Sequence, residues 1–381
     1  MLNEDMKKKW LEIASSEDFH MHDPVLSLME LRIHDDVPSM MQAPIAWETE
    51  DLTGADAVFV GIPLEGPFQS EDGQSFVSCG PREVKPDKLQ GRSGTWDSPD
   101  YIRKCSKEYN LPGTGGHYPE IGSKFRLVEH IEIMDYGNVA LDTIVDTEEA
   151  GRRAISKVGD IVKAGAVPLV FGGDHSIPYP VVRAISDNTE GKTGIIWFDK
   201  HYDIDYGGKS PRPYNTFTRL NAGNAMYRIL ESCDVDPKNI CLIGIGGGNY
   251  NSPGMLKIAK ELGLTIFTHE DVLNQGMAEV IGQAIEVTGR GTERTYITVD
   301  VASMDSMTFP AQKYPDPYGI SFQEMMQAMK MISTQTNVAG IDTCCIGPAY
   351  DVNGVGGMGA CRMYIEILKG LALKKMKKGG A

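Results

Sequence analysis

Three short segments of this sequence carry side chains able to hold a cation or move a proton, and each follows an apolar run. After VPLVF at 167–171 come Gly172, Gly173, Asp174, His175 and Ser176, so a histidine stands just past two glycines that let backbones approach closely. In IIWFDKHYDID the run leads straight into Asp199, His201 and Asp203. Alternation along an extended chain would turn those three side chains to one side, where carboxylate oxygens and an imidazole suit a divalent ion such as Mn, Co, Ni or Zn. TYITVDVASMDS delivers Asp300 at the end of a third run. GGDHS alone is a weak signal, because a loop histidine is more often a hydrogen-bonded residue than a ligand. The D-x-H-x-D that follows it makes metal binding the stronger reading.

The elements that must position these residues are visible as eight apolar runs, at 57–62, 131–134, 167–171, 193–198, 240–245, 264–267, 296–301 and 338–346. They are continuously apolar and not alternating, which is the pattern of strands covered on both faces in a parallel sheet. Helical spacing appears between them at 147–164, 180–186, 224–232, 255–262 and 322–333. The expected fold is a single three-layer αβα domain over 55–372 with an eight-stranded parallel sheet, preceded by a polar arm (1–54) and followed by a basic tail (373–381). An amphipathic helix is expected at 7–14 of the arm, and the tail is expected to fray. Glycine and proline crowd the stretch 79–116, which reads as one long irregular segment lining a site.

Composition narrows the function classes. The 381 residues include 52 Asp and Glu against 37 Lys and Arg, a net charge of −15 that repels phosphate backbones and anionic membranes. No nucleic-acid partner is expected. The seven cysteines are an odd set without a C-x-x-C pair, which fits a reducing cytoplasm better than a disulfide framework or a zinc site. The N-terminus lacks an apolar signal region, and no run reaches the roughly 18 apolar residues of a membrane span. GIGGGN at 244–249 lacks the full dinucleotide-loop spacing and reads as a strand-to-helix turn. His20, His22 and His34 have no ligand spacing, and Cys344 reads as core packing.

GGDHS, then D-x-H-x-D about twenty-five residues on, then a strand-terminal Asp about a hundred residues later, resembles the ureohydrolase superfamily of arginases, agmatinases and guanidine-type hydrolases. VGIPLEG, CGPREVK with SPDYIRK, DYGNV and GIDTCCIGPAYD are similar to further stretches of that family, so the resemblance covers residues 55–372. It implies two metal ions, usually Mn²⁺, bridged by a hydroxide that attacks a guanidinium carbon. Carried over, it makes His175, Asp199, Asp203 and Asp300 ligands of a first ion. Asp199 and Asp300 would bridge to a second ion held also by His201, and Asp203 would relay a proton to the leaving amine.

Three departures stand out. The family's D-x-D-x-x-D-P reads here Asp300, Val301, Ala302, Ser303, Met304, Asp305, Ser306, so the second-ion carboxylate is Ala302. The glutamate that pairs with a substrate guanidinium is replaced by Cys345, and a neutral thiol cannot anchor a cation as a carboxylate does. A proton-handling histidine of agmatine hydrolases aligns with Ala222. Lys200 stands where the family prefers alanine, and alternation should turn it away from the metals, the other reading being that its ammonium stands in for the lost second cation. Loss of two-metal activation costs several kcal/mol of barrier, about 10³-fold or more in rate. The resemblance therefore implies a catalytically impaired subunit of a guanidine or biguanide (metformin-type) hydrolase, working beside an intact paralogue in a trimer or hexamer. It would hold one Mn or Ni ion, or none. The alternatives are an active, agmatinase-like hydrolase of a guanidine or amidine compound releasing urea or a urea derivative, and a non-catalytic metal-binding scaffold.

Overall fold

The computed structural model describes residues 39–69, 75–78, 94–109, 111, 116–118, 125–141, 147–204, 219–246 and 251–379, with Met6, Lys8 and Lys9. Its strands are β1 (Ala57–Gly61), β2 (Glu65–Gln69), β3 (Ser75–Ser78), β4 (Ile133–Asn138), β5 (Val167–Phe171), β6 (Thr193–Phe198), β7 (Ile240–Ile245), β8 (Thr265–Thr268), β9 (Arg294–Asp300) and β10 (Val338–Cys344). Its α-helices are α1 (Ser98–Cys105), α2 (Thr147–Lys163), α3 (Pro178–Asn188), α4 (Ala225–Ser232), α5 (Pro253–Leu262), α6 (His269–Gln275), α7 (Met277–Thr288), α8 (Phe322–Gln335) and α9 (Val355–Gly379).

Eight strands form one sheet in the order β4-β1-β5-β10-β9-β6-β7-β8, and every pair in it is parallel. β1, β6 and β7 are buried at every position, as their unbroken apolar runs require when helices cover both faces. The helices contact one another in two series, α2–α3–α4 and α6–α7–α8–α9–α1, which are the outer layers. β2 and β3 pair antiparallel as a separate hairpin. The three-layer αβα expectation is met, and all eight predicted strands are present.

Sequence chemistry sets the helix ends. Ser321 and Glu324 cap α8 reciprocally, Thr268 and Asp271 do the same for α6, and Gly263, at φ +86°, closes α5. Tyr364 of α9 packs edge-on to Phe59 and Phe171 with ring centroids 5.8 and 5.9 Å away, joining that helix to β1 and β5. α9 has no clear apolar period because nearly every position from 356 to 370 is buried, on all sides of the helix. A Cβ at Gly357 would lie 2.5 Å from Cys105 Sγ, so the glycine is what lets α9 close on α1.

The segment 79–116 is not wholly irregular. Its residues Ser98–Cys105 form α1, begun by Pro99 in the first turn and anchored by buried Arg103. Arg103 grips both oxygens of Asp135 at 2.8 Å, and Asp135 also accepts from Met40 N at 2.7 Å. Residues 39–54, in the span read as an arm, therefore pack onto the domain, with Met40 and Met41 fully buried. The helix expected at 7–14 lies, except for Lys8 and Lys9, outside the described residues. The basic tail, expected to fray, continues α9 to Gly379, held by Lys374 on the Thr336 carbonyl and by Lys375 on Asp56 at 2.6 Å. Among the described residues no helix is long and apolar enough to cross a membrane.

Candidate metal centre

β5, β10, β9 and β6 are neighbours at the middle of the sheet although they are far apart in the chain, and ligands in open α/β sheets gather outside the carboxyl ends of such strands. Each strand delivers one part of the cluster there. Beyond β5, His175 is fully buried; beyond β6 come Asp199, His201 and Asp203; Asp300 ends β9; Cys345 follows β10.

His175 Nδ1 faces three carboxylates, lying 2.8 Å from Asp203 Oδ2, 2.9 Å from Asp199 Oδ2 and 3.5 Å from Asp300 Oδ2. The four ligand atoms all lie within 4.8 Å of one another. Around an octahedral ion with bonds of about 2.1 Å, adjacent donors sit about 3 Å apart and opposite ones about 4.2 Å, so this donor set fits one divalent cation. The other face of the imidazole is also fixed. Nε2 lies 3.0 Å from Thr298 Oγ1, whose hydroxyl donates to Asp342 Oδ1 at 3.0 Å. Thr298 must then accept from Nε2–H, which leaves the Nδ1 lone pair for a cation.

The electrostatics are those of buried carboxylates crowded around two imidazoles. Burial opposes a charge on His175, yet Asp199, Asp203 and Asp300 hold its pKa well above the ordinary value. Burial and then Asp199 push Asp203 up to about 7 and raise Asp300 as well. Asp199 is held low by His175 and His201 in spite of its burial. Burial likewise disfavours charge on His201, but Asp199 brings it up to about 9.

The expected comb of three side chains on an extended strand is only partly what forms. β6 stops at Phe198, and Asp203 lies at φ +45°, a left-handed kink that swings its carboxylate back to His175 beside Asp199. His201 takes the other side, with Nδ1 3.2 Å from Asp199 Oδ1, outside the four-residue group. The second oxygens of the two expected bridging carboxylates are engaged by backbone, since His201 N donates to Asp199 Oδ1 at 2.9 Å and Ala302 N to Asp300 Oδ1 at 2.7 Å.

Ala302 is fully buried in the 3-10 turn Val301–Ser303 directly after Asp300. Cys345 is buried at φ +63°, its thiol pushed up to about 12 by burial and so neutral. Ala222 opens the 3-10 turn Ala222–Asn224, and this segment reaches the cluster through Met226 N, which donates to Asp203 O at 3.3 Å. Lys200 does turn away, its ammonium 2.6 Å from Tyr318 O and 3.2 Å from Asp316. Cys344 is buried, and its sulfur comes within 4.8 Å of the His175 and Asp300 ligand atoms, while burial keeps it a protonated thiol. His20, His22, His34 and residues 247–249 of GIGGGN lie outside the described residues.

Sequence reasoning passed over Thr298, Asp342 and Trp197, whose Nε1 donates to Asp199 Oδ2 at 3.2 Å. Period two would have found two of them, because Trp197 and Thr298 each precede a ligand by two residues on the same strand face. It also passed over Glu65, which lies in VGIPLEG but was given no role, and Lys313, which no motif marks.

A three-layer α/β domain with a histidine–carboxylate cluster able to hold a cation at the carboxyl ends of its central strands is the class that fold and site define. Residues 55–369 match the arginase family, and the chain belongs to it. It is 25% identical over 334 residues to mitochondrial agmatinase of Gallus gallus, covering 87% of this chain and 85% of that one. It is also 25% identical over 350 residues to formimidoylglutamase of Bacillus subtilis, covering 90% and 95%. Trypanosoma cruzi formiminoglutamase with Mn²⁺ has the same fold, with TM-score 0.69 at 21% identity over 88% of this chain and 99% of that one.

Proposed function

We propose that this chain is a metal-dependent hydrolase subunit of the arginase family for guanidino compounds, holding one divalent ion and impaired when alone. It would work beside an intact relative in a trimer or hexamer, in the manner of a two-component guanidine or metformin-type hydrolase. The observation that carries the reading is Ala302: the position that would supply a second ion with a carboxylate has a methyl group, and its N–H engages the Asp300 oxygen such an ion would need. His175, Asp199, Asp203 and Asp300 would hold the remaining ion, Mn or Ni. When bound, it supplies Lewis acidity and lowers the pKa of water. Asp203, whose Oδ2 lies 2.8 Å from His175 Nδ1, would be the group that relays a proton to the leaving amine. Cys345 offers no charge to a guanidinium, which favours the view that the intact partner does the chemistry.

Metal analysis and activity test this together. We expect one ion per chain, negligible hydrolysis of guanidine, agmatine or dimethylbiguanide by the purified chain, and activity on mixing with the intact subunit. Ala302→Asp should raise the metal content towards two. Two ions in the unaltered chain, or turnover by it alone, would refute the reading in favour of an active agmatinase-like enzyme, and no metal would favour a scaffold.

A further inference from the structure

Beside the cation cluster the chain buries a cation of its own. Lys313 is 6% exposed, with Nζ 2.9 Å from Glu65 Oε1 and 3.8 Å from Asp174 Oδ2. Both carboxylates are buried and held in place: Gly94 N and Thr95 N donate to Glu65 Oε2 at 2.9 Å, and Gly66 N donates to Asp174 Oδ2 at 3.0 Å. The location is what gives the lysine meaning. Asp174 adjoins His175 in the chain, and Lys313 N donates to Cys345 O at 2.9 Å while Cys345 N donates to Gly173 O at 2.9 Å. Tyr314, the next residue, sets its ring against His201 with centroids 5.7 Å apart. Residues 313 and 314 are thus tied to the turns that carry the cluster, Lys313 to Asp174 next to His175 in the chain and Tyr314 to His201.

A buried ion pair of this kind adds little net stability over apolar packing, so its presence at the site calls for another account. We propose that Glu65 and Asp174 form a subsite for a small organic cation of the guanidinium or alkylammonium class, which Lys313 fills from within. The chain's own ammonium then excludes a guanidinium ligand, because a second cation beside it would be repelled and left without a carboxylate. This rests on the guanidino reading of the site and gives that reading a steric and electrostatic cause besides the missing metal carboxylate.

The test compares the full-length chain with Lys313→Ala, measuring the thermal midpoint and calorimetric uptake of guanidinium chloride and methylammonium chloride at millimolar concentration, against equal NaCl. Lys313→Ala should lose about 5–10 °C, as expected for a stranded pair of buried carboxylates, and regain several degrees with either cation. The unaltered chain should show neither shift nor saturable uptake, a difference in affinity of about tenfold or more. Lys313→Gln, which removes the charge but keeps a donor near Glu65, carries the same comparison if the alanine variant does not fold. Guanidinium uptake by the unaltered chain, or no cation-specific rescue in the variant that folds, would overturn the proposal. Metal content on the same samples separates the two readings: two ions per chain would refute the one-ion function alone, whereas uptake by a one-ion chain would refute the lysine inference alone.

Discussion

Gly173 offers a direct test of how the fold holds His175 in place. It lies at φ +71°, and a Cβ there would sit 2.6 Å from Leu64 O, 2.7 Å from Ile62 O and 2.9 Å from Ile177 Cγ2. Two of those atoms are backbone oxygens of the segment leading to Glu65, and one of them, Leu64 O, is already tied to this turn by Asp174 N, which donates to it at 2.8 Å. Gly173→Ala therefore meets two penalties, about 1–2 kcal/mol for a left-handed alanine and about 1–3 kcal/mol for displacing packed backbone. Gly165, at φ +83° with no atom within 4 Å of its Cβ position, is the internal control and should show only the first. Urea denaturation of both variants isolates the clash as their difference, about 1–3 kcal/mol. Calorimetric Mn²⁺ titration should show affinity falling in Gly173→Ala and unchanged in Gly165→Ala, because only the former moves His175. Equal stability losses, or unaltered metal affinity in Gly173→Ala, would refute the claim that this close approach positions the ligand.

Arg103→Met should cost about 3–5 kcal/mol in a denaturant series, since it strands buried Asp135, and should make residues near Met40 accessible to protease. Lys200→Met should cost about 1–3 kcal/mol yet leave metal stoichiometry unchanged, because the ammonium faces Tyr318 and Asp316 and not the cation cluster. Asp342, pushed up to about 7 by burial, gives a pH signature: a carboxyl raised in the folded state favours folding fully below about pH 4 and loses that contribution as pH rises through about 7. In chelator-treated protein, Asp342→Asn should flatten the fall in stability between those limits by up to about 4 kcal/mol, and an unchanged slope would count against it.

The sheet was legible because its strands are buried on both faces and leave unbroken apolar runs; β6 is TGIIWF, with every residue buried. The helices were legible where one face alone is apolar, as in α2, and not where the helix is buried on all sides, as over most of α9. His175, Asp199, Asp203 and Asp300 stood out because each lies at or within five residues of the end of its strand, and the family resemblance implied that the four hold one ion. What sequence could not convey is direction. Asp203 and His201 belong to one D-x-H-x-D, yet a left-handed residue at 203 sends one carboxylate back into the cluster while the imidazole remains outside it. Glu65 and Lys313 lie 248 residues apart and meet only through the fold, so no spacing rule could pair them.

The strand order also bears on how the site comes into being. β9 and β10, late in the chain, lie between β5 and β6, so without them the native strand pairings are limited to two groups, β4-β1-β5 and β6-β7-β8, each with a bare central edge. Unpaired edges of this sort invite wrong partners until they are covered. His175 stands on one half and Asp199 and Asp203 on the other, while Asp300 arrives on the closing strand. The cluster is thus drawn across a seam: neither group of strands contains it alone, and an ion seated there would act as a clasp that holds only the finished sheet.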